Sequence, residues 1–343
     1  NQKQEHQAVR QNIGIFDMSS FGKIRVEGEG ALDFLQTICT AQINIPIGRI
    51  VYTQMLNNKG GIESDLTVSR LGEKSFLLVV PCATLQRDLS YLNRENNSDK
   101  VIIIDTSSAE GVLSIMGPNS RKLLEAVSPN NFSNLSHPFG TWKNIEIGSG
   151  LARAHRVSYV GELGWEIYIS SDQCAHVFEE IWKLQKEFNF NMCGIHALDS
   201  CRIEKAYRHF GHDITDEDHV VDAGLCFTAD LSKTYFKGKE AILKKRKIGS
   251  SKKMLQFKLN DPTKMIYHNE PIIRENKIVG YLTSGNYGHT LGGCVGLGYV
   301  DCKDLPDEEI LSFEYKVDVA GEIVPAKTSL RSMYDPRSER VRM

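Results

Sequence analysis

The sequence runs to 343 residues, with 41 lysines and arginines against 43 aspartates and glutamates and a formal net charge of −2. Hydrophobic residues make up 41% and charged residues 24%, a globular composition that excludes disordered, collagenous and coiled-coil readings. A balance this close to zero supplies no global field for nucleic acid, and the length suits two or three domains of about 150 residues. No apolar run approaches the roughly 18 residues of a membrane helix, so neither nucleic acid nor membrane is expected as a partner. The start, Asn1-Gln-Lys-Gln-Glu-His6, is polar and unlike a signal peptide, and without a methionine it reads as a processed or partial chain. Eight cysteines, none paired as Cys-x-x-Cys and several in apolar segments, read as reduced core residues of an intracellular compartment, a bacterial cytoplasm or a mitochondrial matrix.

Lys23–Glu27 alternates as a strand, Gly28 and Gly30 break it, and Ala31–Cys39 puts Phe34, Leu35, Ile38 and Cys39 on one helical face. The same unit recurs between Gly111 and Val127, so an α+β layer built twice is expected. Between them, Tyr52–Asn57, Thr67–Arg70 and Ser75–Val80 read as strands of one antiparallel sheet, with Asn58–Gly61 as the turn feeding its centre. Arg153–Val160 and Trp165–Ser170 flank a Gly161–Gly164 loop, which signals a hairpin. The spacing predicts one helix over Asp172–Phe188 and another over Ile195–Arg208. The charge run of Lys244–Lys253 reads as a helix end plus linker and divides the chain into regions 1–248 and 249–343. Met254–Leu259, Pro271–Ile273, Lys277–Ser284, Gly296–Val300, Ile310–Tyr315 and Glu322–Ala326 then read as strands without a helix. They suggest a β-barrel or sandwich of about 90 residues.

No G-x-G-x-x-G, Walker-type, G-x-S-x-G or H-E-x-x-H pattern occurs. His209, His212, Asp213, Asp216, Asp218 and His219 cluster in one stretch, but their mixed spacing reads as a hydrogen-bonded loop, and no metal site is assigned. Three places remain. Glu63 and Asp65 follow a glycine turn and alternate onto one strand face, facing either water or a ligand. Glu166 and Tyr168 face away from Trp165, Ile167 and Ile169, where a carboxylate can be solvated or accept two parallel bonds from a guanidinium- or aminopyrimidine-like edge. Arg202 lies one helical turn from Asp199 and can pair there, orient a carboxylate such as Glu166, or meet an anionic ligand.

Six motifs fall in one order over nearly the whole chain: Phe16-Asp-Met-Ser-Ser, Tyr52-x-x-Met-Leu-Asn-x-x-Gly-Gly-Ile, Ser114-x-Met-Gly-Pro-Asn, Gly161-Glu-x-Gly-Trp-Glu, Asp199-x-x-Arg-Ile-Glu and Thr283-Ser-Gly-x-Tyr-Gly-His-Thr-Leu-Gly292. Together they resemble the aminomethyltransferase (glycine-cleavage T-protein) superfamily. Gly61-Ile-Glu-Ser-Asp-Leu-Thr-Val, Glu204-Lys-Ala-Tyr-Arg-His and Tyr334-Asp-Pro are similar to one branch, the folate-binding C-terminal half of dimethylglycine and sarcosine dehydrogenases, sarcosine dehydrogenase most closely. The resemblance implies a three-lobed α+β fold in which two intertwined domains and a C-terminal β-barrel surround a folate channel. It implies a tetrahydrofolate-binding unit that captures, as 5,10-methylenetetrahydrofolate, the one-carbon group released from an N-methyl amine. FAD would then sit on a partner domain or subunit outside this chain.

By the same resemblance Tyr52, Ser64, Tyr159, Glu166 and Arg202 line the folate site, with Glu166 accepting from the pterin and Arg202 nearby. The family's catalytic aspartate is the first of an Asp-Asp pair; here that position is Ser64, and catalysis falls to Asp65. Strand alternation points these neighbours in opposite directions, so a handover requires a bulge or turn. Two other readings stand beside this one: a free-standing folate-dependent demethylase or methyltransferase, and a non-catalytic regulatory relative, for which Ser64 is the best argument.

Overall fold

A short polar helix, α1 (Gln2–Gln11), opens the computed structural model, which describes residues 1–303 and 305–343. Only His6, Val9 and Arg10 of α1 are buried, so its sequence carries almost no apolar period and predicted no helix. After β1 (Gly14–Asp17) come β2 (Gly22–Glu27), α2 (Ala31–Ile38), β3 (Ile50–Leu56), β4 (Ile62–Gly72), β5 (Ser75–Val80), α3 (Leu85–Glu95) and β6 (Ile102–Asp105). Strands β2 to β6 form an antiparallel sheet in the order β3-β4-β5-β2-β6. Its apolar side chains, among them Ile24, Leu66, Val68 and Phe76, are covered by Leu35 and Ile38 of α2 and Tyr91 and Leu92 of α3.

The next stretch holds β7 (Glu110–Met116), α4 (Ser120–Val127), β8 (Trp142–Ile147), β9 (Gly150–His155), β10 (Gly164–Ser170), α5 (Cys174–Trp182), α6 (Gln185–Phe188), β11 (Asn191–Met192) and α7 (Ile195–Glu204). A second sheet, β11-β1-β7-β10-β9-β8, is antiparallel apart from the β11–β1 edge. Helices α4 and α5 cover one of its faces through Leu123, Leu124, Val177 and Ile181. The faces left bare by the helices meet each other: Leu77 and Val79 of β5 pack on Val112 of β7 and Tyr168 of β10. The two strand–glycine–helix units thus seed the two sheets, one each.

Residues 205–238 form a long irregular connection whose Phe210, Ile214, Val220, Ala223 and Leu225 pack against Val295 and Leu297. Then α8 (Lys239–Ile248), β12 (Lys252–Leu259), β13 (Pro271–Arg274), β14 (Lys277–Gly288), β15 (Gly293–Asp301), α9 (Asp307–Ser312), β16 (Tyr315–Val319) and β17 (Glu322–Ser329) follow. The six strands close into a barrel, β12-β15-β14-β13-β16-β17, so the α+β class with a C-terminal barrel is what forms.

Four expectations need correcting. The stretch read as a strand over Ile310–Tyr315 is the end of helix α9 followed by the first residue of β16, so the barrel does carry a helix. Helix α7 stops at Glu204 and not Arg208, because Ala206 takes a left-handed φ of 55° and the Tyr207 N–H turns back to the Arg202 carbonyl at 3.0 Å. The single helix over Asp172–Phe188 is two, α5 and α6, broken at Lys183 and Leu184. The first hairpin strand is Gly150–His155, which leaves residues 156–163 as a connecting loop. No described helix is long and apolar enough to cross a membrane.

Candidate functional site

The β3–β4 hairpin carries the first group. Asn57 Oδ1 accepts from the N–H groups of Lys59 and Gly61 at 2.9 and 3.0 Å, which tightens the turn. Met55 pairs with Ser64 while Leu56 pairs with Ile62, so Glu63 is an extra residue in β4: a bulge lies just before the pair in question. Beyond it Asp65 faces its cross-strand neighbour Gln54 and, diagonally, Tyr52. Its Oδ1 accepts the Tyr52 hydroxyl at 2.6 Å and Gln54 Nε2 at 2.7 Å. Burial pushes the Asp65 pKa up to about 6, opposed by those two hydrogen bonds and by the charge of Arg208. Ser64 is turned the other way, 1% exposed, beside Asp88 of α3. Glu63 does not join Asp65; Arg87 of α3 donates to it at 2.8 Å.

The second group lies on the bare face of the other sheet. Phe16, Ser114, Glu166 and His155 are in register across β1, β7, β10 and β9, one row of side chains. Trp165, Ile167 and Ile169 alternate into the opposite, helix-covered core, as their spacing predicts. Glu166 is 8% exposed and its Oε2 accepts the Tyr168 hydroxyl at 2.8 Å. Among the described residues no cation pairs with it. Burial therefore raises its pKa to about 7, against the opposing Tyr168 bond. His155, whose ring centre lies 4.2 Å from that of Tyr168, is pushed toward the neutral form by burial and by Arg153, so it supplies no countercharge.

The third group joins the sheets to the barrel. Ser158 Oγ accepts from the N–H groups of Gly161 and Glu162 at 3.0 and 3.2 Å, and Gly161 has a φ of 82° that suits glycine. This turn presents Tyr159, whose hydroxyl donates to the Arg208 carbonyl at 2.8 Å and whose ring stacks on Tyr207. Tyr159 also packs against the apolar cluster that includes Phe16, the end of the Glu166 row. Arg202 donates to Asp199 at 2.5 Å, the local i,i+3 pair, and to Asp213 at 2.6 Å and Ser284 at 3.2 Å. Burial works against the Asp213 carboxylate, but Arg202 and the hydroxyls of Ser284 and Thr283 hold its pKa below the ordinary range.

The sequence expectation that Arg202 sits by Glu166 is therefore corrected: its charge is consumed by Asp199 and Asp213, and it ties α7 to β14. Tyr52, Asp65, Tyr159 and Arg202 do converge, since Asp65 bears on the ionisation of Tyr52 and Tyr159, and Arg202 on that of Tyr159. Ser64, expected among the folate-lining residues, is corrected: it lies outside the group, turned to the helix-covered side of its sheet beside Asp88. Gln54, Thr228, Arg208 and Asp213 belong to it without having been read as site residues. Gln54 and Thr228 lie far apart in the chain, which no local spacing can reveal.

The His209–His219 stretch divides into separate roles. Asp213 serves Arg202; Asp218 accepts from Lys252 at 2.8 Å and from Thr215; and His219 Nδ1 accepts the Val221 N–H at 3.1 Å. Among the described residues no group of three or more His, Cys, Asp or Glu side chains could hold a metal ion. A cavity of about 580 Å³ lies elsewhere, lined by His6, Arg10, His289, Tyr334 and Arg340 among others. Its guanidinium groups are occupied by Glu162 and Glu204, and no candidate residue lines it.

Two sheets packed face to face, with Asp65 and Glu166 on the faces turned from the helices, and a closed C-terminal barrel form one architecture with known relatives. The model of the GCVT N-terminal domain matches residues 1–233 and that of the glycine cleavage T-protein C-terminal barrel domain matches residues 252–335. The chain belongs to the glycine-cleavage T-protein (aminomethyltransferase) family. A 4-methylaminobutanoate oxidase (formaldehyde-forming) of Paenarthrobacter nicotinovorans is 39% identical over 99% of this chain and 41% of its own length. The mitochondrial sarcosine dehydrogenase of Homo sapiens is 33% identical over 99% of this chain and 39% of its own. The chain thus spans about two fifths of these two relatives. The crystal structure of the glycine cleavage system aminomethyltransferase T from Bartonella henselae superposes with a TM-score of 0.84 at 25% identity, over 96% of this chain and 89% of that one.

Proposed function

We propose that this chain is a tetrahydrofolate-binding one-carbon transfer unit. It would form 5,10-methylenetetrahydrofolate from the one-carbon group released by oxidative demethylation of an N-methyl amine of the sarcosine or dimethylglycine type. The observation that carries the reading is Glu166. A carboxylate buried without a cation, with a single tyrosine hydroxyl on one oxygen, is costly unless a ligand supplies donors. The amino and ring N–H groups of a pterin are a matching pair of donors for its two oxygens.

In this reading Glu166 holds the aminopyrimidine edge, and Tyr52 and Tyr159 line the same site. Arg202 acts by fixing the wall that carries Tyr159 and Ser284. Asp65 is the catalytic acid–base group, and Ser64 takes no part. Tetrahydrofolate, as the one-carbon acceptor, supplies two nucleophilic amines. This chain's own residues orient it and move a proton at Asp65. Regions 1–248 and 249–343 serve as the transfer region and its barrel domain. FAD and the amine-oxidising chemistry belong to a partner domain or subunit, in keeping with relatives that are more than twice as long. Eight cysteines, four of them buried, suit a reducing compartment such as a bacterial cytoplasm or mitochondrial matrix.

A second reading, a free-standing transferase or demethylase, is favoured by the near-complete overlap with the Bartonella aminomethyltransferase. One assay separates the two. The chain is supplied with tetrahydrofolate and an N-methyl amine, with and without an FAD-dependent amine dehydrogenase, and both methylenetetrahydrofolate and methyltetrahydrofolate are measured. Methylenetetrahydrofolate formed only with the dehydrogenase supports the proposal, methyltetrahydrofolate formed without it, by transfer of the intact methyl group and release of the demethylated amine, supports the second reading, and no folate product in either arm overturns both.

A further inference from the structure

Asp65 is held by more than its neighbours in the hairpin. Gln54, fully buried, spends its amide nitrogen on Asp65 Oδ1 at 2.7 Å, and its amide oxygen is met by the hydroxyl of Thr228. Thr228 sits at the end of the turn that also carries Phe227, whose ring centre lies 6.5 Å from that of Tyr52. Both bonds to Asp65, from Tyr52 and from Gln54, fall on Oδ1 and neither reaches Oδ2. A carboxyl oxygen that receives two donors has no room for a proton of its own, so the acid form carries its proton on the other oxygen.

The orientation of the Gln54 amide decides this. The Thr228 hydroxyl has one proton and two acceptors in reach, Gln54 Oε1 and the Leu225 carbonyl at 2.8 Å. Given to Gln54, that proton pins the amide with its NH2 toward Asp65. Were the amide reversed, its oxygen would face a carboxylate oxygen at hydrogen-bond distance with no proton between them, which is repulsive while Asp65 is ionised.

We propose that Gln54, locked by Thr228, is the positioning residue for Asp65, and that it fixes Oδ2 as the oxygen that takes up and returns the transferred proton. The assignment rests on the reading of Asp65 as the acid–base group. The proton leaves an amine nitrogen of the bound acceptor for Oδ2, the N–H bond breaking as the O–H bond forms, and returns by the reverse step; no oxidant or further reactant is involved. The charged and titratable groups around Asp65 are Tyr52 of β3, Arg208 and Tyr159 from the two loops, and Asp88 of α3 behind the sheet. None of the four contacts Gln54 by a hydrogen bond, so a change at Gln54 reaches Asp65 directly.

The test is a carboxyl carbon NMR titration of Asp65 in the full chain, with tetrahydrofolate absent. Gln54→Leu removes a donor to the ionised form and moves the midpoint up by about one pH unit or more. Thr228→Val, which frees the amide, moves it the same way by less, and Thr228→Ser restores the parent value. Gln54→Glu places a second carboxyl against Oδ1 and gives two coupled midpoints. An Asp65 midpoint unmoved in both Gln54→Leu and Thr228→Val, in variants whose spectra show a folded chain, overturns the proposal. The titration needs no turnover, so it stands apart from the function: an unmoved midpoint with methylenetetrahydrofolate still formed sinks only the clamp. A moved midpoint in a chain that forms no product keeps the clamp and sinks the catalytic reading.

Discussion

Ser64 and Asp65 are adjacent in β4 and serve opposite sides of their sheet, Ser64 beside Asp88 under α3 and Asp65 hydrogen-bonded to Tyr52 and Gln54 on the inner face. The bulge at Glu63 precedes both, so the acid on the inner face is the second residue of the family's pair. Asp65→Asn is therefore expected to lower the transfer rate by about 100-fold or more, the usual size of a positioned acid–base contribution, while Ser64→Ala leaves it within a few-fold. Parallel rate measurements decide between them.

In the proposed reading the ionised form of Asp65 is the base, and burial raises its midpoint to about 6. Below that midpoint the group is protonated. The transfer rate at saturating amine and folate should thus rise with pH through about 6 and level off above it. A profile flat between pH 5 and 7.5 would show that another group carries the proton.

Glu166 makes a second pH prediction with the opposite sign for stability. Its folded pKa, raised to about 7 by burial, exceeds the ordinary 4.5, so the folded chain gains most from this group below pH 4.5. That contribution is lost as pH rises through about 7. Ionised Glu166 then costs about 3 kcal/mol in the unliganded chain. Glu166→Gln keeps an acceptor for Tyr168 without the charge, and thermal melts at pH 8 should show it several degrees more stable than the parent. At pH 4 the difference should vanish.

Arg202 behaves otherwise, because its partners are the protein's own. Arg202→Met leaves Asp213 buried without its cation and is expected to cost about 3–5 kcal/mol in denaturant unfolding. Arg202→Lys should recover only part of this, since one ammonium cannot span Asp199, Asp213 and Ser284 as the guanidinium does. If Arg202→Met unfolds like the parent, the residue is not the tie between α7 and the barrel.

A smaller change tests the hairpin. A Cβ on Gly61 would lie 1.9 Å from the Asp216 carbonyl, against backbone that cannot step aside, so Gly61→Ala must push the 214–219 loop off the β3–β4 turn. Loss of amide protection at Val220, whose N–H bonds to the Gly60 carbonyl, should accompany it in hydrogen exchange.

Much of this was legible in the residues. The glycine turn before β4, the alternation around Trp165 and the strand signals after residue 252 placed Asp65, Glu166 and the barrel, because each is a local pattern of period two or a turn. What escaped was what depends on distant segments or on polar packing. Helix α1 is buried through His6, Val9 and Arg10 and leaves no apolar stripe. The Gln54–Thr228 clamp joins residues from separate parts of the chain. Arg202 could be placed on its helix, but its choice of Asp213 over Glu166 depends on how the loop after α7 folds back.

Calorimetric titration of tetrahydrofolate into the chain, and into Glu166→Gln, tests the central claim most directly. The account predicts saturable one-to-one binding that strengthens as pH rises through about 7, where Glu166 ionises, and that weakens on the order of 100-fold in Glu166→Gln. Absence of binding to the parent chain, or equal binding to both proteins, would contradict it.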